Sequence, residues 1–291
     1  HGYSENVIVD DGNSEIRVEM TDISAISYGD TEMIYLGTAT VEGYVKDQYS
    51  LDENKGILRV VTTTDVSRYK PVKTDVSDDV FVIPQGEQTG SNASLYCIDL
   101  NTWDTVASVE AFAPQGEEVR SVRFDGDNAY VCTSVVLTDP VFFFDLSDLN
   151  NITCKDTGTI DGYSLSLVDF AEGYLMGIGY GSGFDTLKVE LYREGATTVE
   201  SHCKYELPGV SFSQEYKSYY IDRENSLIGL AVVDYSSNYN ATTYLLLHFD
   251  GYELNEVARV PMNGHCDLIR GVYIEDWLYV LGDSFAVEQI G

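Results

Sequence analysis

Positive charge is what this sequence lacks most. Lys and Arg number 17 against 48 Asp and Glu, a formal net charge of −31 at pH 7. Such a chain repels a phosphate backbone, and no basic cluster offsets this locally, which argues against nucleic-acid binding. Proline is scarce too, at 6 of 291 residues, while Tyr reaches 22, a balance that suits strands. No apolar run approaches the roughly 18 residues of a membrane span. The five cysteines, Cys97, Cys132, Cys154, Cys203 and Cys266, are odd in number and scattered. They read as small core residues, without a disulfide framework. Gly-x-Ser-x-Gly is absent. The Gly-rich segment Gly177–Gly183 has no Lys-Ser/Thr after it, so it reads as a turn between strands rather than a phosphate loop. The chain opens on His-Gly-Tyr without a leader and is expected to be processed or trimmed.

What is present is a repeated phrase: an alternating run, an acidic or Gly-containing turn, then a run rich in Val, Ile, Leu and Tyr. It occurs at Gln48–Thr63, Val122–Ser134, Leu167–Gly179, Tyr219–Val233 and Val272–Asp283. Taking Ile57, Ala129, Tyr174, Leu227 and Trp277 as first residues of the second runs, the intervals are 72, 45, 53 and 50 residues. Three of these sit near the roughly 40–50 residues of a four-stranded blade. The long interval holds an insertion, residues 65–91, with Pro71, Pro84, Gly86, Gly90, the acidic stretch Asp75–Asp79 and one strand-like run, Val80–Ile83. It is expected to be a long loop. Two further strands follow each of the first four hairpins, and one, Phe285–Ile290, follows the fifth.

The expected fold is therefore all-β: a β-propeller of five blades, each of four antiparallel strands, in one domain spanning residues 1–291. Residues 1–12 are expected as an extended tail. An N-terminal strand, from Glu15–Met20 or Glu32–Gly43, is expected to join the last blade and close the ring, which hides exposed edges.

Two phrases carry a resemblance. Gly116–Asp148 (GEEVRSVRFDGDNAYVCTSVVLTDPVFFFDLSD) and Tyr49–Thr64 (YSLDENKGILRVVTTT) resemble the signature of a bacterial secreted C-terminal β-propeller family distantly related to WD40 repeats. Tyr35–Tyr44 and Asp161–Ser166 match it less closely, and the similarity runs from about Glu32 to Asp283. Leu149–Asn150 and Glu42 stand where the family has proline. The resemblance implies a propeller and a secreted or cell-surface location. It brings no catalytic residue.

Chemical constellations are sparse. The dipeptides His202–Cys203 and His265–Cys266 offer two His and two Cys, the elements of a zinc site. Neighbours on a strand point to opposite faces, however, so neither pair is expected to reach one metal. Carboxylates recur in the turns Asp52–Glu53, Asp125–Asp127, Asp222–Glu224 and Glu275–Asp276. Asp125 and Asp127 come closest to a calcium loop but lack an EF-hand's length and closing Glu. The competing reading is a hairpin turn of residues that bond their own backbone. Asn-x-Ser/Thr triplets begin at Asn92, Asn151 and Asn240 and matter only in a eukaryotic secretory path.

The expected function is a non-catalytic extracytoplasmic binding or scaffold module, with no cofactor other than possible calcium. It would present a propeller face to a protein, peptide or glycan, with Tyr180, Tyr235 and Tyr239 as loop contacts. The alternative is an extracellular hydrolase or lyase acting on polysaccharide or peptide through a carboxylate pair in a central channel.

Overall fold

The computed structural model of the chain describes residues 2–10, 15–29, 32–70, 85–135, 138–157, 160–171, 173–194, 198–235 and 241–289. Strands dominate, and the only helical elements described are three 3-10 turns of three residues each. All five hairpins form where the repeated phrase places them. Their strand pairs are Leu51–Asn54 with Ile57–Lys70, Glu118–Asp125 with Asn128–Ser134, and Tyr163–Ala171 with Tyr174–Tyr180. The last two are Tyr220–Asp222 with Leu227–Asp234 and Arg270–Ile274 with Trp277–Leu281. Left-handed residues close the turns: Lys55 and Gly56, Gly126, Gly173, Ser226 and Glu275. That backbone matches the twist of the strands it joins and fixes their register.

Each hairpin seeds a sheet. The second and third are four-stranded meanders, completed by Val141–Asp145 with Thr153–Asp156 and by Thr186–Glu194 with Val199–Pro208. The fourth adds Ala241–Phe249, Leu254–Met262 and the short edge strand Val210–Phe212. The last has three strands, ending with Phe285–Gln289. A two-stranded piece pairs Thr138–Asp139 with Ile160–Asp161.

The first sheet departs from expectation in three ways. Residues 2–10, expected as a tail, pair along their length with Glu15–Tyr28. The insertion is no simple loop. Ile57–Lys70 and Gln85–Asp99 stay paired out to Lys70 opposite Gln85, so a two-stranded arm replaces much of it. The run Val80–Ile83 and the acidic stretch lie outside the described residues. Finally, Glu15–Tyr28 pairs with Met33–Glu42 and with Ile57–Lys70, so both N-terminal strands are used within the first sheet. Among the described residues no closing strand is seen: the described strands of the last sheet all come from the C-terminal end.

The chain divides into two compact units, residues 1–135 with 144–154, and residues 136–143 with 155–291. In the first unit, Ile23, Val41, Val60, Tyr96 and Ile98 form a core. The indole of Trp103 lies directly over Gly37, where any Cβ would collide with it.

The second unit explains why its inner strands read as unbroken apolar runs. Along Leu227–Asp234, Ile228, Leu230 and Val232 enter one core with Met176, Ile178, Leu187, Val189 and Leu191 of the third sheet. Leu227 and Ala231 enter another, with Leu278 and Val280 of the fifth and with Ile269 just before it. The fourth sheet is thus covered on both faces, and strand alternation divides its side chains between two cores. Each buried Leu, Ile or Val there contributes roughly 1.5–3 kcal/mol. Tyr244 crosses this layer fully buried. Its hydroxyl accepts from the amide of Gly271 at 3.0 Å, and its ring fills the space above Gly229 and Gly271.

The opposite face of the third sheet carries a buried polar network. Lys188 Nζ lies 2.9 Å from Glu190 Oε2 and donates to the carbonyl of Asp161 at 3.2 Å. Tyr192 and Ser201 also donate to the Glu190 carboxylate. Removing one charge of a buried pair strands the other. Lys188→Met is therefore expected to cost about 3–5 kcal/mol in urea unfolding, and adding Glu190→Leu should recover a large part of that loss. A double variant less stable than the single one would refute this account.

Candidate functional site

The carboxylate turns come first, because the sequence points to them. In the first unit, Asp127 accepts from Lys55 Nζ at 2.7 and 2.8 Å through its two oxygens and from Asn54 Nδ2 at 2.9 Å. Arg59 is buried, binds the Asp52 carboxylate on the facing strand, and donates to the carbonyl of Gly126 at 2.7 Å. Its guanidinium lies 4.8 Å from the centre of the Phe124 ring. These groups tie the first hairpin to the second. Asp125, the other expected calcium ligand, is exposed, and Asp127 is paired with the Lys55 ammonium. Glu53 and Asp222 serve their own turns: Glu53 accepts from the amide of Gly56 and Asp222 from that of Asn225.

A cleft lies elsewhere, in the second unit. Its volume is about 610 Å³, and its walls come from the far ends of strands that begin at the hairpin turns. Tyr180 ends the inner strand of the third sheet, and Tyr235 follows that of the fourth. The edge strand Val210–Phe212 supplies Phe212, and the segments outside the strands supply Gln214, Glu215 and His265–Asp267. Tyr180 packs against Phe212 with centroids 5.0 Å apart and accepts from Gln214 Nε2 at 3.0 Å. The Tyr235 and Ser211 hydroxyls are 2.8 Å apart, and Tyr235 is more than half exposed. Two of the three tyrosines expected as contacts thus share one cleft, and Tyr239 lies outside the described residues.

On the wall, His265 and Cys266 do not behave as strand neighbours. Cys266–Leu268 is a 3-10 turn with His265 at its N-cap, closed by Leu268 N to His265 O at 3.0 Å. Alternation fails there because the backbone is helical, and the expectation that the pair diverges is corrected. His265 Nδ1 lies 3.3 Å from Asp267 Oδ2, and Cys266 Sγ lies 3.7 Å from Asp267 Oδ1. Burial, then the Asp267 charge, pushes the Cys266 thiol up to about 11. His202–Cys203 remains on a strand, with the His202 ring 4.9 Å from that of Tyr174. No disulfide joins the five cysteines.

Over residues 5–289 the sequence matches the profile of the beta propeller domain. The chain belongs to that family. Two relatives of this propeller domain are uncharacterised archaeal proteins. One, from Archaeoglobus fulgidus, is 27% identical over 84% of this chain and 33% of its own length. Another, from Methanocaldococcus jannaschii, is 24% identical over 91% of this chain and 38% of its own length. The propeller domain thus spans about a third of the length of the curated relatives it matches. Among solved structures, a Bacteroides uniformis protein provisionally assigned as a 6-phosphogluconolactonase aligns with 98% of this chain and 80% of its own, at 12% identity and a TM-score of 0.44. That likeness is too loose to carry an argument.

The Lys55–Asp127 contact makes a pH prediction. Hydrogen bonds from Lys55, then Asn54, hold the Asp127 carboxyl below its ordinary value. Its contribution is complete above the unfolded-state pKa near 4 and disappears as pH falls through the depressed folded value. Lys55→Ala should therefore melt below the wild type at pH 7, and the gap should close as pH falls below the ordinary carboxylate range. A gap unchanged across that range would contradict it.

Proposed function

We propose that this propeller domain is a non-catalytic binding module that works outside the cytoplasm and holds a saccharide or peptide in the cleft of its second unit. The observation that carries the reading is the pairing of Tyr180 and Tyr235 with Phe212, Gln214 and Glu215 around one open cavity of about 610 Å³. Aromatic faces with a few directed polar groups suit a ligand that is apolar on one side and hydroxyl- or amide-bearing on the other. The net charge of −31 supports a neutral or cationic ligand over an anionic one. In this reading each of the five hairpins founds one blade, and calcium has no role at Asp127, whose carboxylate Lys55 neutralises.

The alternative, an extracellular hydrolase or lyase, has one observation in its favour. His265 and Asp267 form a His–carboxylate pair on the cleft wall. Against it, His265 is 70% exposed on its side chain, and the one thiol beside it is held protonated by burial. A reactive cysteine needs the reverse shift.

Glycan and peptide arrays probed with the purified chain test the reading. A hit should weaken about tenfold or more in Tyr235→Ala, a loss typical of an aromatic contact, with the melting temperature unchanged. Silence on both arrays, or hits indifferent to Tyr235, would defeat it. Cleavage of a bound glycan that stops in His265→Ala would instead establish the enzyme.

A further inference from the structure

We propose that His265, Cys266 and Asp267 form a binding site for one borderline divalent transition metal, best matched by Zn²⁺, whose remaining coordination position faces the cleft. The site rests on the three side chains alone and is independent of the cleft's organic ligand. Among the described residues, these three bring one nitrogen, one sulfur and one carboxylate oxygen within 4.8 Å of one another.

The spacing fits the chemistry. Zinc bonds of roughly 2.0–2.3 Å to N, O and S put neighbouring ligand atoms of a tetrahedron about 3.3–3.8 Å apart. The two separations here are 3.3 Å between His265 Nδ1 and Asp267 Oδ2, and 3.7 Å between Cys266 Sγ and Asp267 Oδ1. The two contacts run to different oxygens of the one Asp267 carboxylate and the three donors lie within 4.8 Å, so an entering ion draws them together by side-chain rotation, which the exposure of His265 and Asp267 allows. The donor set excludes Ca²⁺ and Mg²⁺ as the preferred guests, since both take oxygen cages rather than a thiolate.

The frame is rigid where ligands need it. Cys266 is buried in the same core as Ile269, Leu278 and Val280, so its sulfur is fixed by packing. The turn is closed by Leu268 N to His265 O at 3.0 Å and Ile269 N to Cys266 O at 3.3 Å. Just before it, the carbonyl of Gly264 accepts from Thr242 Oγ1 at 3.2 Å. His265 and Asp267 remain exposed, leaving a route for the ion. On binding, the Cys266 thiol gives its proton to solvent and its sulfur lone pair to the metal. His265 enters neutral and Asp267 as carboxylate.

The test uses the chain stripped with EDTA, in a Cys154→Ser background because Cys154 is an exposed competing thiol. Added Co²⁺ should give a near-ultraviolet thiolate-to-cobalt band and intense visible bands of a tetrahedral ion, at one ion per chain. Cys266→Ser should abolish the near-ultraviolet band. His265→Ala and Asp267→Asn, both at exposed positions, should weaken Zn²⁺ by about tenfold or more, because even outer partners of metal ligands are worth that much. Zinc at one hundred times its dissociation constant should raise the melting temperature by roughly 5 °C. The proposal is overturned by a cobalt band that survives Cys266→Ser, by zinc affinity unaffected in the His265 and Asp267 variants, or by absence of stoichiometric binding.

Discussion

Burial of a strand on both of its faces is the constraint on which the second unit depends. A strand covered on one side needs only alternate apolar residues. Leu227–Asp234 is covered on both, so successive residues must all be acceptable to a core. The division of its side chains between two clusters follows from a period of two and nothing else. Once that strand is seated, its two ends are fixed as well. One carries a tight acidic turn, and the other carries Tyr235 to the cleft.

The same constraint explains where polar chemistry was placed. Lys188, Glu190 and Tyr192 alternate with Leu187, Val189 and Leu191 on a single strand. One face feeds a dry core, while the other holds charges that are tolerable only because each meets a partner. In the first unit, Arg59 and Asp52 face each other across a hairpin and reach on to the next turn. In both cases a repeat-like sequence hides a specific polar fastening.

How far the chain could be read beforehand follows from the range of each signal. The hairpins were legible because a turn such as Asn54-Lys55-Gly56 and its flanking apolar runs occupy a dozen contiguous residues. The pairing of Ser67–Lys70 with Gln85–Gln88 was not, because a polar arm held by backbone hydrogen bonds shows no apolar alternation. The Lys55–Asp127 contact joins residues 72 apart, and each looks like an ordinary turn residue. The cleft was half legible, through Tyr180 and Tyr235. Its His265–Asp267 wall was misread, because a three-residue helical turn is too short to announce a period and the flanking strands suggest alternation.

Tyr244 and the glycines at 229 and 271 occupy one volume that three chain positions must share. Side-chain size at these sites is therefore constrained as a sum rather than residue by residue. Among homologues the three should drift together, with a smaller aromatic or aliphatic group at the first site accompanying a methyl at one of the others. Such correlated substitution would mark the seam between neighbouring sheets even where overall identity has faded.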